Sequence, residues 1–134
     1  MTTNDYDRAY HEFHMQLLGK FIAQIQEQLP FCLQDCNQDD LSFLTALKQL
    51  SHIGGNDQLI QGQQLLCRIV TTYPHLMPIL PRDLLWYFGG DCLHYMPDEE
   101  IGIFQMLDEQ RQAAKESNKP FIHEKARLTT MGLH

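Results

Sequence analysis

Three groups of residues in this 134-residue chain carry side chains that could bind metal or act as nucleophiles: Asp91-Cys92-Leu93-His94, the pair Cys32 and Cys36, and His11-Glu12-Phe13-His14. Thiolate and imidazole suit zinc, but zinc sites usually show two close ligand pairs, and the cysteine pair has no second pair to match it. His11 and His14 stand three apart, one short of the spacing that sets both histidines of a zinc-protease helix on one face. A carboxylate di-iron bundle needs an acid-x-x-His motif on each of two helices, and Asp91-x-x-His94 is the single instance. No ligand set is complete, so no metal and no other cofactor is expected. Asp91, Cys92 and His94 are also the residue types of a cysteine hydrolase, yet near neighbours on one helix do not present a base to a nucleophile. No catalytic residue is assigned, and no motif names a reaction.

The stretch around Cys92 has another character. Residues 74–97 hold four of the six prolines, the single tryptophan and the pair Gly89-Gly90. Leu84, Leu85, Trp86, Tyr87 and Phe88 follow one another and cover more than a helical turn, so they cannot all face one core. Either this helix is central and buried on both sides, or some of its aromatics line an interface. The expected binding surface comprises Trp86, Tyr87, Phe88 and Tyr95, with Asp91, Cys92 and His94 beside them. Trp86, Gly90, Leu93 and Gly102 fall near the large and small positions of one tetratricopeptide unit, but stepping back about 34 residues gives no second copy. What remains is a possible hairpin over residues 81–112, with Gly102 allowing close approach.

The elements that position these residues read as helices. Tyr6, Tyr10, Phe13, Leu17, Phe21, Ile25 and Leu29 recur at steps of three or four, the stripe of a helix that Asn4 can cap and Pro30 stops. A second helix starts at Asn37 and carries Leu41, Leu44, Leu47 and Leu50 to the Gly54-Gly55 break. Asn56 or Asp57 can cap a third, with Leu59, Leu66, Val70 and Tyr73 on one side and Leu65 and Ile69 widening the stripe. Its many glutamines, Gln58 and Gln63 among them, suit a helix and need no special role. Pro74, Pro78 and Pro81 make a kinked connector, and Pro81 opens a fourth helix that Gly89-Gly90 interrupts or ends. Pro97 opens a fifth, with Ile101, Phe104, Leu107 and Ala114, which ends at Asn118-Lys119-Pro120. Residues 120–134 form a short helix or an arm. No β alternation appears, and the expected fold is all-α, a single-domain bundle of five or six helices.

Composition agrees with a globular chain of one core: 43% of residues are apolar and 20% charged. No apolar run approaches the roughly 18 residues that cross a bilayer, and the N-terminus lacks the pattern of a signal peptide. Four cysteines are too few for a disulfide scaffold, so reduced thiols and a cytoplasmic location are expected. The net charge of −7 divides into −10 for residues 1–110 and +3 for residues 111–134. An acidic body repels phosphate backbones, which argues against nucleic acid as a partner. The basic end is explained by Arg111, Lys115 and Lys119 closing a helix that opens with Asp98, Glu99 and Glu100.

The run DLLWYFGGDCLHYMPDEEI over residues 83–101 resembles a family of small all-helical proteins of pseudomonads and related bacteria, most closely across residues 74–107. That resemblance implies a bacterial cytosolic setting and brings no activity, cofactor or catalytic residue with it. The function expected from the residues is therefore protein binding, as an adaptor or regulatory subunit, with a homodimer or another protein as partner and neither nucleic acid nor membrane. A small-ligand or metal-binding bundle, or an enzyme, using Asp91, Cys92 and His94 is the alternative.

Overall fold

A computed structural model describes residues 3–132, with side chains from Asp5 onward. Among the described residues there are six α-helices and three short 3-10 helices, and no strand. The helices are α1 (Thr3–Ile25), α2 (Gln38–Gln49), α3 (Gly55–Thr72), α4 (Arg82–Phe88), α5 (Asp98–Ser117) and α6 (His123–Thr130). The 3-10 turns are Leu50–His52, Pro74–Ile79 and Gly90–Tyr95. The fold is all-α, and the proline-rich connector before α4 is one of those turns. The expected cap Asn4 and the tail residue Leu133 lie outside the residues whose side chains are described.

The chain divides into two compact units, Gln16–Tyr95 and the remainder, so that α1 contributes to both. In Gln16–Tyr95, α3 packs against α2, α4 and the 3-10 turns. Leu18, Phe21, Ile25, Phe43, Leu47, Leu66, Ile69, Leu84, Leu85 and Phe88 are buried there. Asn37 caps α2 through its side-chain oxygen, which accepts from the Asp40 amide at 2.9 Å. Phe31, Phe43 and Tyr73 stack together, with ring centroids 4.8 to 5.9 Å apart.

In the other unit α5 packs against α6. Tyr6 donates to the Ala114 carbonyl at 3.3 Å and to that of Lys119, at the end of α5. The Arg111 guanidinium lies 3.7 Å from the Tyr10 ring centroid, and its nitrogens reach Asp7 at 3.7 Å and Asp108 at 3.5 Å. Lys115 joins Asp7 at 2.9 Å.

Several boundaries and faces differ from the expectation. α1 ends at Ile25 rather than running to Pro30. The chain tightens there into bonds from Glu27 to the Gln24 carbonyl and from Gln28 to that of Ile25, and Leu29 is left exposed. The buried stripe of α1 is Tyr6, His14, Leu18, Phe21 and Ile25, while Phe13 and Leu17 are half-buried. α3 begins at Gly55, ahead of Asn56 and Asp57, with Gly54 at the cap position. A β-carbon at Gly102 would meet no atom within 4 Å, so nothing makes the close approach expected at that glycine.

Candidate binding surface

The residues singled out in the sequence fall on α4 and the turn Gly90–Tyr95, and α3 is what positions them. The apolar register of α3 places Gln58, Gly62, Leu66 and Ile69 on its buried face. At Gly62 the missing side chain makes room for the Phe88 ring, whose Cδ1 would stand 2.2 Å from a β-carbon there. α4 ends at Gly89, and Gly90 takes a positive φ of 57°. A β-carbon on Gly90 would collide with the Gln63 side chain at 2.6 Å, which leaves glycine as the residue that fits.

Three side chains then lock this corner. Gln63 Nε2 donates to the Phe88 carbonyl at 2.7 Å, satisfying an acceptor at the end of α4. Arg82 Nη2 donates to the Tyr95 carbonyl at 2.8 Å, joining the first turn of α4 to the end of the 3-10 turn. Buried Gln58 donates to the Leu50 carbonyl at 3.1 Å and accepts from the Tyr87 hydroxyl at 3.3 Å. Gln58 and Gln63 are thus structural ties, a role the sequence reading did not give them.

This arrangement sorts the expected surface residues into two sets. Phe88 is 2% exposed and Cys92 0% exposed, so both belong to the core of their unit. Leu84, Leu85 and Asp83 are buried with them. Trp86, Tyr87 and Tyr95 remain half-exposed, with Leu93 between the latter two. The Tyr87 ring meets Phe88 edge to face at 5.1 Å, and burial pushes its hydroxyl above the usual range. Asp91 and His94 stand 4.0 Å apart in solvent, their side chains 89% and 81% exposed.

Asp91 and His94 face water while the Cys92 sulfur points the other way, against the Gln63 carbonyl at 3.8 Å. Desolvation, and then the Cys67 thiol, push Cys92 up to about 12, so it holds its proton at neutral pH. The three side chains do not converge on one point. Cys32 is exposed and Cys36 half-buried, and the Cys36 thiol is raised by desolvation and then by Asp40, Asp35 and Cys32. Among the described residues no three His, Cys, Asp or Glu side chains are gathered closely enough to hold a metal ion.

A second cluster went unrecognised. His14 and His123, 1% and 6% exposed, lie with ring centroids 5.5 Å apart, edge-on to Tyr10 and Phe13. In this ring cluster each imidazole packs as a flat side chain does. His14 Nδ1 also lies 2.7 Å from the Tyr10 carbonyl. His14 falling at helical spacing with Tyr6, Leu18 and Phe21 was the available sign.

Among the described residues the fold is all-helical, and that defines a structural class. Within that class the chain belongs to the PA2817-like family, whose model matches residues 6–133. No curated protein and no solved structure matches the chain.

Proposed function

We propose that the protein acts by binding, as an adaptor or regulatory subunit, through the surface formed by Trp86, Tyr87 and Tyr95. The observation that carries this reading is the division along α4, which buries Leu84, Leu85 and Phe88 and leaves Trp86 and Tyr87 partly in water. Large aromatic side chains on a fixed backbone offer contact area at small entropic cost, and they are enriched at the centres of interfaces. Asp91 and His94 supply the polar rim that such patches have.

A two-fold dimer is the simplest partner arrangement, because a small chain most often covers an aromatic patch with its own copy. The proposed setting is the cytoplasm. The charge of −7 disfavours nucleic acid, and among the described residues no helix is long and apolar enough to cross a membrane. Size-exclusion chromatography with light scattering on wild type and Tyr87→Asp tests the dimer. A dimer that becomes a folded monomer supports it, whereas a wild-type monomer at micromolar concentration excludes self-association and leaves a different protein as the partner.

A further inference from the structure

We propose that the groove between the end of α5 and one face of α6 is a binding site for an aliphatic monocarboxylate of medium chain length. The inference is independent of the binding reading, because the groove lies wholly in the unit that holds α5 and α6, whereas Trp86, Tyr87 and Tyr95 belong to the other.

The groove follows from how α5 ends. Asn118 stops that helix, Pro120 disfavours a helical Lys119, and the chain runs without helix to an extended Ile122 before α6 packs back on α5. Ile122, Lys125, Ala126 and Thr129 stand three or four residues apart and so share one face. Gln110 Nε2 donates to Thr130 Oγ1 at 3.0 Å, which ties α5 to α6 beside that face. The space left between them has a volume of about 460 Å³ and is open to solvent along one side. That volume falls inside the roughly 300–1,000 Å³ of small-molecule sites.

Its lining selects the ligand. Pro120, Phe121, Ile122 and Ala126 make the walls mainly apolar, and Ile122 is 66% exposed, so an alkyl chain laid there covers apolar surface that now faces water. The Phe121 ring is held by an edge contact with the buried His123 ring at 6.3 Å. The uncharged polar lining is already engaged, with Gln110 on Thr130 and the Thr129 hydroxyl donating to the Lys125 carbonyl at 3.2 Å. Lys125 supplies the charge. Arg111 and Lys115 of the same unit are offset by Asp7 and Asp108, whereas among the described residues Lys125 joins no ion pair. The surroundings act in the same sense, since residues 111–134 carry +3 against −10 for residues 1–110. A single ammonium beside an apolar trough matches one negative head on an alkyl chain, and a carboxylate is the head that one such charge balances.

The test titrates the isotope-labelled full chain with hexanoate, octanoate and decanoate at neutral pH and follows the backbone amide resonances. The expected shifts centre on Gln110 and residues 121–129, with affinity rising by up to about fourfold for each added methylene. Decyltrimethylammonium, which has the same chain and the opposite charge, should bind more weakly than decanoate. Lys125→Gln should weaken decanoate by up to about fivefold, the scale of an exposed ion pair. Ala126→Trp, which fills the groove, should abolish the shifts. The comparison of ligands on the wild-type chain decides the matter even if that variant fails to fold. No shift at millimolar decanoate, shifts centred on residues 84–95 instead, or equal binding of the cationic ligand would overturn the proposal.

Discussion

The Phe88 ring is seated over Gly62 so closely that a β-carbon at position 62 would fall 2.2 Å from Phe88 Cδ1. This contact joins α4 to α3 and turns Trp86 and Tyr87 away from the core. Gly62→Ala should gain up to about 1 kcal/mol in helix propensity and lose about 1–3 kcal/mol to overpacking. The expected net result is a lower unfolding midpoint. Adding Phe88→Leu should recover part of the loss, which is the non-additivity of residues in contact. Denaturant unfolding of the two single variants and the double variant measures it, and a Gly62→Ala protein more stable than wild type would contradict the packing.

Tyr73 makes a pH-dependent contribution. Its hydroxyl donates to Asp40 Oδ1 at 2.5 Å, and burial first, then Asp40, push it from 10.0 up to about 12. The folded state therefore holds this proton more tightly than the unfolded chain does. The resulting stabilisation is complete below pH 10 and is lost as pH rises toward about 12. Tyr73→Phe should cost about 1 kcal/mol near neutral pH through the lost hydrogen bond. The gap between wild type and variant should narrow across that alkaline window. A gap that widens there, followed by urea midpoint against pH, would show the sign to be wrong.

Asn118 ends α5 in the left-handed region at φ 50°. The Asn118 amide bonds to the Lys115 carbonyl at 3.2 Å and the Lys119 amide to that of Ala114 at 2.9 Å, the two bonds of a Schellman cap. Asn118→Gly should leave stability unchanged or raise it by up to about 1 kcal/mol, and Asn118→Val should lower it by about 1–2 kcal/mol. Thermal unfolding checks the order Gly, Asn, Val.

The helices were legible because their punctuation is local. Pro81, Pro97, Asn37 and Asn118 act through their own backbone or through the next turn, and a reader of the sequence has all of that in view. What faces inward was less legible. His14 and Gln58 sit at core positions of α1 and α3, but hydrophobic patterning scores both as polar and shifts the predicted stripe by a residue. Within residues 84–95 the sequence did not separate the buried side chains from the half-exposed ones. Phe88 and Trp86 are equally apolar, and what separates them is the vacancy at Gly62, 26 residues earlier in the chain. Nothing in the spacing of residues 84–95 alone carries that information. The same holds for Cys92, whose inward direction depends on Gln63.

Site-specific photo-crosslinking in living cells tests the central claim most directly. Trp86, Tyr87 and Tyr95 are replaced one at a time by a photoreactive phenylalanine analogue, with Met106, exposed on α5, as the control position. The account predicts a discrete adduct of one reproducible mass from the three aromatic positions and none from Met106, the mass distinguishing a second copy of the chain from a different protein. Folded protein that gives no adduct at any of the three positions, or the same adducts at all four, would contradict it.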